Sequence, residues 1–332
     1  MNENYNDIPG MPTANAPQAA SHRPQGGQGA PVPASRPTAQ AAAPNAQNAP
    51  HAAPVATAAP VAPKTVKSKD GKFSFSLAPV GVEKQGDIVI LYGEPGTGKT
   101  TLAAMLPGKT AFIDLENSTG KLKESWDAMG IGQSVAVVNG ITDFVTLCQC
   151  LQSDIFAGFD NIVIDSLSKV QDWAKEYTFA HSPTKAKTKA TSLEDYEFSS
   201  GPMYVFRWMI PNFWNPVEAH KRANRNVVII AHSMFETVPN GDSTEFKQFT
   251  FDALAMKSGK DSIRHFMCNN ADHVLFLKAD VAGDRKKNAI GGDTKTLYAG
   301  PLPYVMAKSR SRHASQFTIT PGEPFDWTQI IH

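Results

Sequence analysis

The sequence predicts an α/β fold, a mostly parallel sheet with helices on both faces. Three observations predict it. Short, nearly continuous apolar runs ("DIVILYG", "KTAFIDLE", "NIVIDS", "NVVIIAHS") alternate with stretches of helical spacing, as strands buried on both faces require. One run enters a glycine-rich turn, "GEPGTGKT", that opens a helix. Another stops on an acid, Asp165. In such sheets ligands sit beyond the carboxyl ends of the strands, so chemistry is sought in the last residue of each run.

The elements follow in order. Residues 1–64 are Ala, Pro, Gln and Asn with almost no charge ("APQAASHRPQGGQGAPVPASRPTAQ"). They hold too little apolar surface to offset the entropy of ordering, so they read as a disordered tail, either a linker or a tether for a partner. The folded domain is expected over 65–332. "KFSFSLAPV" alternates and reads as an edge strand. "DIVILYG", "KTAFIDLE" and "SVAVVN" are strands, and "DFVTLCQCLQSDIFAGF" carries apolar residues at helical spacing. "NIVIDS", "NVVIIAHS" and "ADHVLFLKAD" are later strands. Two stretches interrupt the pattern, "AHSPTKAKTKATSLEDYEFSSG" and "MFETVPNGDSTEFKQFTFDALAMKSGKDS". Both exceed the usual connection length, which marks them as functional or mobile, and the second, with its alternating Phe residues, suits a hairpin.

A formal net charge of +1 over 332 residues sets up no global field for or against nucleic acid. Three cysteines make no disulfide framework. Cys148 and Cys150 lie two apart on the expected helix and face different ways, which is poor metal-ligand geometry. The first residues lack the basic start and apolar run of a signal peptide, and no segment approaches a membrane span. The cytoplasm is the expected location, with no membrane partner.

"GEPGTGKT" fits G-x-x-x-x-G-K-[ST] from Gly93 to Thr100, with a strand before it and a helix after it. Nucleotide binding is assigned to Gly93, Glu94, Pro95, Gly96, Thr97, Gly98, Lys99, Thr100 and the following Thr101. The glycines let successive backbone N–H groups face phosphate oxygens, and the helix presents its positive end to the anion. Lys99 is placed on the terminal phosphates and Thr100 on Mg²⁺. ATP and Mg²⁺ are the expected cofactors. Asp165 is the second candidate for the Mg²⁺ shell, against the alternative of a strand-end cap for the next helix.

The residue after Asp165 is Ser166, a poor proton acceptor, so a water-activating base must come from elsewhere. "AFIDLENSTG" supplies it. Asp114 and Glu116 share a face by strand alternation, and only Glu116 lies at the carboxyl end. Glu116 is therefore nominated as the carboxylate that activates water, against a surface acid that merely opens a loop. His232, the tip of "VVIIAH", either senses the γ-phosphate or is satisfied by backbone.

The order of these motifs resembles the RecA/DnaB-type ATPase core, and in size the chain is similar to the short RecA-like proteins of bacteriophages, some of them associated with single-strand annealing recombination. The resemblance covers about Lys64 to Arg312. It implies a RecA-like P-loop NTPase fold, with Glu116 on the strand after the P-loop helix, Asp165-Ser166 ending the metal-binding strand, and His232 as the phosphate sensor. "YVMAKSRSRH" resembles the Lys-x-Arg element that such proteins project into a neighbour's nucleotide, which implies Lys308 as a sensor and Arg310 as an arginine finger; a solvated basic loop is the other reading.

The resemblance further implies a homo-oligomeric ATPase acting on single-stranded DNA in phage recombination, annealing or replication, beside a single-strand-binding protein. A helicase-like motor or loader, and a binding switch with incidental hydrolysis, are the alternatives. The DNA segment would hold Phe235, Lys247, Phe249, Phe251, Lys257 and Lys260, cations interleaved with aromatic faces. A hairpin burying its Phe residues in the core explains the same pattern. Lys185, Lys187 and Lys189, and Arg285, Lys286 and Lys287, are further basic spots. The P-loop helix is cut short by Pro107.

Overall fold

The computed structural model of the protein describes residues 62, 64–77, 79, 84–239, 244–255, 262–283, 289–311 and 314–331. The tail expected over 1–64 lies outside these residues except for its last positions. The chain divides into two compact units, and the larger takes in residues 84–332. In the smaller unit, β1 (Lys64–Lys67) pairs antiparallel with β2 (Ser74–Leu77), Val66 opposite Phe75. The expected edge strand in "KFSFSLAPV" therefore forms, but it pairs with a neighbour in sequence. Every position of both strands is exposed, so the ribbon has no core of its own.

The larger unit runs β3 (Ile88–Gly93), α1 (Lys99–Ala104), β4 (Thr110–Asp114), α2 (Thr119–Ala128), β5 (Val135–Val137), α3 (Phe144–Gln152), β6 (Asn161–Asp165) and α4 (Leu167–His181). Next come α5 (Gly201–Met209), α6 (Asn215–Arg222), β7 (Asn226–Pro239), β8 (Glu245–Phe251) and α7 (Ile263–Asn270). It closes with β9 (His273–Gly283), β10 (Ala289–Tyr298), β11 (Lys308–Ser309) and β12 (Gln316–Ile319). The sheet order is β12-β10-β9-β3-β7-β6-β4-β5, with β11 beside β9 and β8 beside β7. From β5 to β9 the pairs are parallel; β10 and β12 add antiparallel strands at one edge.

Alternation divides the core. Ile88, Ile90 and Tyr92 of β3 face a cluster with Leu147, Val170, Trp208, Trp214 and Met267, whereas Val89 and Leu91 face one with Leu102, Trp126, Leu297 and Trp327. Both faces of β3 are covered, which is why its sequence is an unbroken apolar run. Each helix starts where its sequence allows. The Asp143 carboxylate accepts the Thr146 N–H while the Thr146 hydroxyl accepts that of Asp143, a capping box at the head of α3. The α1 helix has only six residues and stops before Pro107. Trp327 then closes that face, its indole N–H donating to the Leu102 carbonyl at 2.9 Å.

The amino-terminal edge of the sheet holds Lys308 and Arg310, away from the P-loop. Asp272, 3% exposed, accepts the Ile88 N–H at 2.9 Å, Lys221 at 2.6 Å and Arg310 at 2.9 Å. The Lys308 ammonium donates to the carbonyls of Cys268 (2.8 Å), Asn269 (3.0 Å) and Ala271 (2.8 Å), where it satisfies the open end of α7. The expected Lys-x-Arg element is thus tied to Asp272 and to the end of α7 within its own chain. Within their own chain neither residue reaches the nucleotide cradle, and the cation of Lys308 is taken up by backbone.

Candidate nucleotide site

The site forms where β3, β6 and β4 end and β7 loses its parallel partners. Gly93 pairs with His232, and Asp165 with Asp114, so the register brings the predicted residues to one edge. Gly93 is forced by crowding: a Cβ there would lie 2.2 Å from the Leu277 carbonyl oxygen. Gly93→Ala is expected to cost about 1–3 kcal/mol of stability, measured by urea unfolding. Gly98 has φ +87°, the left-handed turn that starts α1. Together these residues wrap the backbone for the loop between β3 and α1.

Lys99 is 6% exposed, and its ammonium donates to the carbonyls of Gly93 at 3.0 Å and Glu94 at 2.8 Å. Burial pulls its pKa down, while Asp165, Glu116 and Glu94 oppose the shift. The Thr100 hydroxyl donates to Asp165 Oδ2 at 2.7 Å. Burial pushes the Asp165 carboxyl up to about 6; Glu116 and Asp114 add to the rise, and the Thr100 bond and Lys99 oppose it. A buried carboxylate among other acids, touching a hydroxyl, is a donor set that suits Mg²⁺, which takes few protein ligands and completes its shell with water and phosphate. Asp165 does not cap α4, so the capping alternative falls away.

Asp114 and Glu116 divide their roles clearly. Asp114 accepts from the Thr119 N–H (2.8 Å), the Thr119 hydroxyl (2.6 Å) and the Ser118 N–H (3.1 Å), and so ties down the start of α2. Burial alone would raise its pKa, but these bonds hold it below the usual value. Glu116 accepts a short hydrogen bond from the Ser166 hydroxyl, and its Oε1 lies 3.4 Å from His232 Nε2. Ser166 occupies the N-cap position of α4 yet gives its hydroxyl to Glu116 rather than to the helix. His232 Nδ1 is buried and has no hydrogen-bond partner among the described residues. Glu116, Ser166 and His232 thus form one cluster beside Thr100 and Asp165, its carboxylate 37% exposed and open to water.

Beyond His232, β7 continues to Pro239 and pairs with β8. This is the expected hairpin, and its aromatics divide between core and surface. Phe251 is fully buried, and Phe249 stacks on Phe276 with ring centroids 4.8 Å apart. Of the two readings of these Phe residues, packing against the core is the one that Phe251 and Phe249 follow. Phe235 is 56% exposed, its ring 4.1 Å from that of Phe249, with Lys278 Nζ 5.7 Å from the Phe249 centroid. Lys247 is exposed. Lys257, Lys260, Arg285, Lys286 and Lys287 lie outside the residues whose side chains are described. Lys185 pairs with Glu197 at 3.2 Å on the surface, as a solvated charge would.

The AAA domain family matches residues 85–311, about two thirds of the chain. The chain belongs to the AAA domain family. The AAA domain accounts for the α/β sheet, the P-loop and a nucleotide-hydrolysing reading of the site. No curated protein matches the chain. Among the described residues no helix is long and apolar enough to cross a membrane, and no group of three or more His, Cys, Asp and Glu is placed to hold a metal ion.

The sequence missed two features of the AAA domain. One is a cleft of about 230 Å³ beside the P-loop, lined by Thr97, Gly98, Thr101, Met105, Met129 and Lys295 among others. The other is Lys295 itself, on a strand that was not predicted; the only signal was its alternation with Leu297 in "TKTLY".

Proposed function

We propose that the protein is an ATPase of RecA-like type that acts on single-stranded DNA in phage recombination, annealing or replication. The observation that carries this reading is the placement of Glu116. Its carboxylate stands in the bend just past the end of β4, the strand next to that of Asp165, held by Ser166 and beside His232. Thr100 and Asp165 would hold Mg²⁺, which neutralises charge on the phosphates. Lys99 would leave its carbonyls for the terminal phosphates, and Glu116 would take the proton of the attacking water. His232, on the same continuous strand as Phe235, would pass the loss of the γ-phosphate to the hairpin.

The hairpin supports the DNA part of the reading. Phe235 offers an exposed ring and Lys247 an exposed cation, the combination that single-strand binders use. Its base is anchored by Arg264, 7% exposed, which bonds Glu236 at 2.8 Å and the Ala253 carbonyl at 2.9 Å. Fluorescence anisotropy with a labelled oligonucleotide tests this. Phe235→Ala is expected to weaken binding by about 1–3 kcal/mol, with the affinity of the wild type falling steeply with salt. Unchanged binding by Phe235→Ala would remove the hairpin from the DNA path.

Assembly into a homo-oligomer belongs to the same reading. Arg310 keeps 54% of its side chain exposed, and Lys221 also neutralises Asp272, so Arg310 remains the candidate to enter a neighbour's site. Lys308 is better suited to its place on α7. The N-terminal tail would tether a single-strand-binding protein.

A further inference from the structure

We infer that Lys295 is a second phosphate ligand of the nucleotide, supplied by the antiparallel edge of the sheet in the same chain. The inference rests on the P-loop being the nucleotide site. Within β10, Leu297 is opposite Leu277 and Lys295 opposite Ala279, while Leu277 is level with Gly93 at the end of β3. Lys295 therefore lies one alternation step beyond the carboxyl end of β3. Leu297 and Ile319, its partners in alternation and register, both belong to the α1-side core. Lys295 inherits that face and overhangs the P-loop.

The contact is close. A Cβ built on Gly98 would lie 2.8 Å from Lys295 Nζ, so the ammonium rests against the backbone of the residue before Lys99. It also lines the cleft with Thr97 and Thr101, on either side of the loop's last turn. The neighbouring Thr294 and Thr296, on the opposite face, bond Asp280 at 2.8 and 2.7 Å, which fixes the strand and turns Lys295 toward the loop. Among the described residues no carboxylate forms an ion pair with Lys295. The other P-loop cation, Lys99, is bonded to two carbonyls and faces Asp165, Glu116 and Glu94. A nucleotide brings several negative charges to this loop, and Lys295 is a half-buried cation already placed beside it. A charge-assisted bond to a phosphate oxygen is the chemistry that the position serves.

The test measures dissociation constants for ATP and ADP on the full chain, with Lys295→Met and Lys295→Arg, and Lys99→Ala as a reference. Lys295→Met is expected to weaken both nucleotides roughly 10- to 100-fold, with Lys295→Arg recovering most of the loss. The thermal midpoint without nucleotide is expected to stay with the wild type, which separates phosphate binding from a structural role. If the wild type binds no nucleotide, or binds it as well after Lys99→Ala, the P-loop reading fails. If the wild type depends on Lys99 while Lys295→Met binds equally well or more tightly, the P-loop reading stands and Lys295 is not a ligand. A lower midpoint for both Lys295 variants, with weakened binding that Arg does not recover, also overturns the inference.

Discussion

Glu116→Gln is expected to lower steady-state ATP hydrolysis by roughly 10²- to 10⁴-fold, the range for loss of a positioned general base. Nucleotide affinity should change by no more than about twofold, since Lys99, Thr100 and the loop backbone are untouched. Glutamine keeps the size and the acceptor oxygen that receives the Ser166 hydroxyl, so the cluster need not collapse. It loses only the proton-accepting charge. Asp114 is the informative control. Its carboxylate ties the head of α2 through Ser118 and Thr119, so Asp114→Asn should lower the thermal midpoint before it affects the chemical step. Single-turnover hydrolysis beside equilibrium binding checks both. Hydrolysis by Glu116→Gln at the wild-type rate would place the base elsewhere.

The second large effect runs against intuition. Asp165→Asn is expected to abolish magnesium-dependent hydrolysis yet stabilise the nucleotide-free protein. Burial raises the folded-state pKa of Asp165 from 3.8 to about 6. A raised value means that the folded state favours the proton more than the unfolded chain does. The stability this confers is fully present below pH 3.8 and is lost as pH rises through about 6. At pH 7.5 without metal the carboxylate is charged and buried at a net cost. Asparagine removes the charge and can still accept the Thr100 hydroxyl. The expected gain is about 1–3 kcal/mol, or roughly 3–10 °C in the midpoint for a domain of this size. Thermal unfolding with a chelator at pH 7.5 and pH 5 checks it, and the gain should shrink at the lower pH. A midpoint below the wild type at pH 7.5 would show that the carboxylate is stabilising as it stands.

Much of this site is legible in the sequence because parallel strands end together. The glycine spacing located the cradle, and the apolar runs located their own last residues, Gly93, Asp165 and His232. Ser166 in place of an acid leaves the base to a neighbouring strand's end, and its hydrogen bond to Glu116 joins the two positions. What sequence could not resolve was competition for a side chain. Lys308 and Arg310 read as a basic loop or a projecting pair, but the open carbonyls of α7 hold Lys308, and Asp272 holds Arg310 while leaving half of its side chain exposed. The alternating Phe residues of β8 satisfied both a DNA groove and a core, and the core took Phe251 because that end of β8 lies over Tyr92, ring centroids 6.0 Å apart. Lys295 was hidden for another reason. Its contact with Gly98 spans nearly the whole domain in sequence and arises only from strand register.

Steady-state ATP hydrolysis by the full chain, measured with and without single-stranded DNA at low and moderate salt, tests the proposed coupling most directly. The expected result is magnesium-dependent hydrolysis, stimulated by DNA at low salt, with the stimulation weakened by salt and absent in Phe235→Ala. Hydrolysis indifferent to single-stranded DNA at both salt concentrations, or no hydrolysis at all, would contradict it.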